Sequence, residues 1–108
     1  MTIGKIRSEI WVKAYLRYLN LNSVPVYILK KGDEVSGAII IKVINNENHS
    51  KVFGRIFNSY NLEEWQIIKE GNENDVKIFL DSQIKIDPDL WLIEIEDNFF
   101  RNFLEKFL

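Results

Sequence analysis

A chain of 108 residues, 46% hydrophobic and 13% aromatic, has the length of one domain and enough apolar material for its own core, which excludes disorder and a two-domain division. It contains no cysteine, so disulfides, a thiol nucleophile and a Cys-based zinc site are excluded, and a cytoplasmic setting is the expectation. A formal net charge of -2 lacks the positive field that drives general binding to phosphate backbones.

Residues Met1–Arg7 lack the apolar stretch of a signal peptide and are expected to be mobile. No apolar run along the chain approaches the ~20 residues of a membrane helix. Ser8 stands where an N-cap is needed for a helix running to about Asn20, with Glu9 where the helix dipole favours an anion. The β-branched runs Val24–Lys31 and Ser36–Asn45, separated by Gly32-Asp33-Glu34, predict a hairpin. In the second run both alternating sets are apolar, Ile39, Ile41 and Val43 against Ala38, Ile40 and Ile44, as in a strand covered on both faces. Lys42 is the exception. After a polar turn at Asn45–Ser50, the segments Val52–Asn58 and Glu64–Glu70 read as two more strands. Asn72 or Asn74 caps a second helix through about Ile84, which Asp87-Pro88-Asp89 stops. Leu90–Glu96 is the fifth strand, and Asn98–Leu108 carries phenylalanines and leucines at helical spacing. The expected fold is α+β: an antiparallel, mostly meander, five-stranded sheet with helices packed on it, in the order αββββαβα, as a single globular domain over residues 1–108.

Two segments carry a family resemblance. Ser8-Glu9-Ile10-Trp11-Val12 and Asp87-Pro88-Asp89-Leu90-Trp91-Leu92-Ile93-Glu94-Ile95-Glu96-Asp97, with Gly32-Asp33 and Gly37 between them, resemble the uncharacterised bacterial domain-of-unknown-function family 1491. The resemblance covers nearly the whole chain and implies a bacterial context without an activity. Members of that family usually place a glycine-containing turn after the last acidic pair, where this chain has Asn98-Phe99-Phe100-Arg101. The end of the chain is therefore open between a docked helix, a swapped helix and a hairpin arm.

The acidic run Asp87, Asp89, Glu94, Glu96 and Asp97 is the one cluster rich enough in carboxylates to suggest cation binding or acid–base work. Strand alternation places Trp91, Ile93 and Ile95 on one face and Leu90, Leu92, Glu94 and Glu96 on the other. Lys42, Arg55, Asp87, Asp89, Glu94 and Glu96 thus form a candidate ligand or ion-pair cluster. The weightier reading is structural, with the glutamates closing on Lys42 or Arg55. His49 is the only histidine and lies in a polar turn, so a metal site has no histidine pair to build on. No nucleophile elbow or phosphate-binding glycine loop is present, no cofactor is implied, and an enzyme is disfavoured.

The first helix is wider in its apolar face than one sheet contact needs. Its polar residues Glu9, Lys13, Arg17 and Asn20 cover about a quarter of the circumference. The weightier explanation is a helix sandwiched between the sheet and the last helix. The sharper one makes Trp11, Tyr15 and Tyr18, with Phe99, Phe103 and Phe107 of the tail, an interface. Lys5, Arg7, Lys13 and Arg17 among these tyrosines offer only a weak nucleic-acid stripe. The leading functional expectation is a cytoplasmic protein-interaction or regulatory domain, acting as a homodimer or with another protein. The alternative is a small-ligand or metal-binding protein or enzyme using the acidic cluster around Asp89–Glu96. A third reading is weak nucleic-acid binding.

Overall fold

The computed structural model describes residues 6–107, so the readings placed on Met1–Lys5 and on Leu108 lie outside the described residues. The elements are α1 (Ser8–Leu21), β1 (Val26–Lys30), β2 (Ile39–Ile44), β3 (His49–Phe57), β4 (Glu63–Asn72), α2 (Glu73–Ile86), β5 (Trp91–Glu96) and α3 (Leu104–Phe107). No helix among the described residues is long and apolar enough to cross a membrane.

The strands pair in the order β1-β5-β2-β3-β4. This corrects the expected antiparallel meander. β5 inserts between β1 and β2, antiparallel to β1 and parallel to β2, so the sheet is mixed and only β2, β3 and β4 form a meander. The reason lies in burial. β2 and β5 are the runs whose two faces are both largely apolar, and an interior position is where a strand has both faces covered. β1, whose Tyr27, Ile28 and Leu29 are about half exposed, takes the edge. A bulge between Ile28 and Lys30 blunts that edge against further pairing.

Gly32-Asp33-Glu34 does not turn a hairpin. The Asp33 N–H donates to the Asp89 carbonyl at 2.9 Å, and the Asp33 carboxylate accepts the N–H groups of Val35 and Ser36 at 3.1 and 2.8 Å. The loop therefore crosses the start of β5 and delivers the chain to its far side.

One face of the sheet packs Ile39, Ile41, Val43, Ile93 and Ile95 against α1 and the tail. The other packs Ile40, Val52 and Leu92 against Val76 and Leu80 of α2. Asn72 caps α2 by accepting the Asp75 N–H at 2.9 Å, and Lys77 meets Asp81 at 3.2 Å one turn on. Ser8 does not act as the N-cap of α1. Arg7 occupies that position without a side-chain cap, while Ser8 is buried in the first turn and donates its hydroxyl to the Gly37 carbonyl at 2.7 Å. The Ser8 and Glu9 N–H groups donate to the Val35 and Glu34 carbonyls at 3.1 and 3.0 Å, so the loop before β2 satisfies helix donors that a cap would otherwise serve.

At the other end of α1, the Ser23 N–H donates to Asn20 and the Val24 N–H to Leu19, with Ser23 left-handed at φ 59°. Glycine is the usual residue in this closing position because it has no Cβ to strain there. Ser23→Gly is expected to stabilise the fold by about 0.5–1 kcal/mol, read as a rise in the urea midpoint at unchanged m-value.

The last helix is shorter than the sequence pattern predicts. The Asp97 carboxylate accepts the Phe99 and Arg101 N–H groups at 3.2 and 2.9 Å and the Arg101 guanidinium at 2.7 Å, closing a local turn that competes with helix. Phe100 and Phe103 sit at φ 56° and 62°, and only Leu104–Phe107 is helical. The tail nonetheless docks. Tyr15 donates its hydroxyl to the Asn102 carbonyl, Leu104 is buried, and the Phe107 ring meets Trp11 and Tyr15 at 5.4 and 5.3 Å.

Candidate functional site

The site follows from where two strands part. The Ala38 carbonyl accepts from the Trp91 N–H at 2.7 Å and the Ile44 carbonyl from the Asp97 N–H at 3.0 Å. Backbone groups alternate sides along a strand, so Ile39, Ile41 and Val43 turn theirs toward β3. The β2–β3 ladder nevertheless ends at Ile41↔Phe53, while β3 stays paired with β4 as far as Phe57↔Glu63. Arg55 and Phe57 thus turn backbone groups toward β2 beyond the last ladder pair.

The divergence has a local cause. The residues preceding β2 are held against β5 and α1: the Gly37 N–H donates to the Asp33 carbonyl at 3.3 Å, and the Gly37 carbonyl accepts from Ser8. This pulls the start of β2 away from β3. The gap opens into a cleft of about 1040 Å³.

Its α2-side wall is mostly apolar, built from Ile40, Ile68, Phe79 and Leu90, with Gln83 and Asp87 as its polar members. Gly54 keeps this wall open, since a Cβ there would stand 3.0 Å from Ile68 Cδ1. The opposite wall carries Trp11, Arg55 and Arg7. The Arg55 guanidinium lies 5.4 Å from the Trp11 ring and 4.9 Å from the Trp65 ring, and the two indoles stack at 5.7 Å. Arg55 also faces Glu63 at 3.6 Å, and Arg7 faces Glu9 and Glu34 at 3.2 and 3.9 Å. Cation–π contact and ion pair together hold Arg55 along the wall.

The predicted cluster of charges is divided by the sheet. Lys42 and Glu94 come together on the α2 side, where the Lys42 ammonium meets Glu94 at 3.1 Å and Glu73, the α2 residue that sequence pairing missed, at 2.9 Å. Burial pulls the Lys42 pKa down, but hydrogen bonds to Glu73 and Glu94 outweigh it and hold the ammonium above its ordinary range. Arg55 lies on the other face. Asp87 closes the turn before β5 by accepting the Asp89 N–H at 3.2 Å and lines the same cleft as Arg55, while the Asp89 side chain is exposed. Glu96 lines a separate hollow of about 490 Å³ with Asn46, Asp97, Phe99 and Arg101. There the Arg101 hydrogen bond holds the Asp97 carboxyl below the usual carboxylate range. Among the described residues, no group of three or more His, Asp or Glu side chains is arranged to hold a metal ion.

The predicted interface residues are also divided. Trp11 and Tyr15 are 7% and 0% exposed and belong to the core, and burial pushes the Tyr15 phenol well above its ordinary range. Tyr18, Phe103 and Phe107 pack partly buried against that core, and Phe99 alone of the set is open, at 79%.

Sequence reasoning did not single out Gly54, Ile68 or Phe79 as site residues, and Arg7 entered only as part of a nucleic-acid stripe. A glycine inside a β-branched strand was the available signal, because it marks close approach of a neighbouring group.

The fold has solved counterparts. A DUF1491 family protein from Caulobacter crescentus CB15 is similar in its crystal structure, with 29% identity, a TM-score of 0.81, and 92% of this chain and 94% of that one covered. An NMR structure of a DUF1491 family protein from the same organism matches at 28% identity and a TM-score of 0.78, covering 93% and 94% of the two chains. The solution structure of protein Atu0922 from A. tumefaciens shares the fold at 23% identity and a TM-score of 0.71, with 87% of each chain covered. A search of the curated proteins finds no match. The family model for the protein of unknown function DUF1491 matches residues 6–105, and the chain belongs to that family.

Proposed function

We propose that this protein is an interaction module that takes its partner in the cleft between β2 and β3. The observation that carries this reading is the end of the β2–β3 ladder at Ile41↔Phe53, which leaves a largely apolar cleft of about 1040 Å³ inside the sheet, lined also by Arg7, Arg55, Glu63 and Asp87. Recognition sites are typically concave and largely apolar with a few placed polar groups, and this cleft has that composition. A catalytic reading has less to stand on, because Glu94 and Lys42 close on each other and Glu96 lies in a separate hollow. A homodimer through α1 loses its anchors, since Trp11 and Tyr15 are spent on the core.

The test is a titration of ¹⁵N-labelled protein with N-acetylleucinamide and with indole. Shifts are expected to concentrate at the backbone amides of Ile39, Gly54 and Arg55 and at the Trp11 indole. Shifts confined to the tail or to the β1 edge, or no shifts at all, would overturn the reading.

A further inference from the structure

We infer that the cleft accepts an extended peptide segment as an added strand on the inner edge of β3, and that the preferred segment alternates acidic and apolar side chains. The inference rests on the interaction reading above and deepens it by naming the chemistry of the partner.

The first ground is the backbone. Arg55 and Phe57 of β3 turn their N–H and C=O groups toward β2 beyond the last ladder pair, and β4 occupies only the other edge of β3. Such an edge is a template for a further strand, and peptides that add to it gain affinity from main-chain hydrogen bonds. Both outer edges of the sheet are protected. β1 carries a bulge, and β4 carries Glu63, Glu64, Lys69 and Glu70 together with its own bulge. The Gly54–Phe57 edge has no proline, lysine or bulge over its length.

The second ground is the contrast between the two walls. Side chains of a strand laid along β3 point alternately to the two faces of the sheet. On the α2 side they would meet Ile40, Ile68 and Phe79, with Gln83 and Asp87 at the α2 end of the lining; on the α1 side, Arg55 and Arg7, with Glu63 beside Arg55. A guanidinium carries more N–H donors than one carboxylate can accept, so Arg55 retains hydrogen-bonding capacity beyond its 3.6 Å pair with Glu63. An acidic residue every second position, with an apolar one between, matches Arg55 and Arg7 on one wall and Ile40, Ile68 and Phe79 on the other. Attraction of an anionic segment is local to these arginines, because the chain as a whole has a net charge of -2.

The probe is an end-blocked, fluorescein-labelled peptide of alternating glutamate and valine, read by polarisation against the full chain. Three comparison peptides replace glutamate by lysine, or carry N-methyl groups on alternate amides in one register or the other. The expected result is saturable binding of the glutamate peptide, at least about tenfold weaker binding of the lysine peptide, and a comparable loss for one N-methyl register. Arg55→Gln should weaken the glutamate peptide and narrow its advantage over the lysine peptide, and Arg7→Gln, at an exposed position, should do the same without touching the Trp11–Trp65 stack. Equal binding of both N-methyl registers and the unmodified peptide overturns strand addition. So does failure of every peptide to bind. If N-acetylleucinamide and indole still shift Gly54 and Arg55 in those cases, only the strand inference falls; if they do not, the interaction reading falls with it.

Discussion

Gly37→Ala is expected to lower folding stability by roughly 3 kcal/mol, at the upper end of the cost of forcing an extra methyl into a packed site. A Cβ at Gly37 would press on the Asp89 carbonyl oxygen and stand 2.8 and 2.9 Å from the Asp33 carbonyl oxygen and amide nitrogen. All of these atoms are backbone, so no side-chain rotation relieves the clash. Gly32 presses on the same Asp89 carbonyl, and its Cβ would stand 2.6 Å from the Leu90 carbonyl carbon. Gly32→Ala should therefore cost a similar amount. Because both methyls would displace one carbonyl, the double variant should lose less than the sum. Gly54→Ala is the control: its closest neighbour is the far end of the Ile68 side chain, and about 1 kcal/mol or less is expected. Urea denaturation of the four variants measures the series, and equal losses at Gly37 and Gly54 would show that backbone crowding at Asp89 is not the cause.

Lys42→Ala should cost about 2–4 kcal/mol. Lys42 is 4% exposed, and its removal leaves Glu94 without its partner at a largely buried position. The Glu73 arm contributes less, because that carboxylate is half exposed and screened by solvent. Lys42→Met with Glu94→Leu should recover most of the loss, since replacing both charges with packed apolar groups removes the unpaired charge. The pH dependence has a definite sign. The folded pKa of Lys42 is raised, so its stabilisation is complete below the unfolded value of about 10.4 and is lost as pH rises through the folded one. Wild-type stability should therefore fall along the alkaline limb, while the Lys42→Met and Glu94→Leu double variant lacks that part of the fall. An identical alkaline limb in both proteins would remove Lys42 as its origin.

The parts of this fold legible from the chain were those written in local alternation. Ile39–Ile44 reads as a strand covered on both faces, and Val76 and Leu80 mark the buried stripe of α2. Alternation tells which face a residue takes but not which strand lies beside it. The insertion of β5 was therefore not legible from Gly32-Asp33-Glu34, whose turn chemistry suits a crossing loop as well as a hairpin. The tail misled for a different reason. Phe99, Phe100, Phe103 and Phe107 have helical spacing, but the Asp97 carboxylate captures the nearby N–H groups before a helix can use them.

At the cleft, Arg55 was recognisable as an out-of-pattern charge in an apolar strand and Trp11 as a large aromatic on α1. Their meeting with Gly54 and Ile68 around one opening depends on β2 leaving β3, which is set by the distant Ser8 hydroxyl and the Asp33 loop. No short window of sequence contains that geometry.

The central position of β5 also bears on how the chain is built during synthesis. When the ribosome has released only β1 through α2, the meander of β2, β3 and β4 can close with α2 against it, because those elements are neighbours in sequence. β1 then has no strand to pair with, and the exposed side of β2 waits for residues made later. Pairing of Ile39–Ile44 with Trp91–Glu96 closes a loop of nearly half the chain, a slow kind of contact to form. Nascent chains stalled before Trp91 should thus hold half a sheet with an apolar edge uncovered, and this is the interval in which a chaperone would have something to hold.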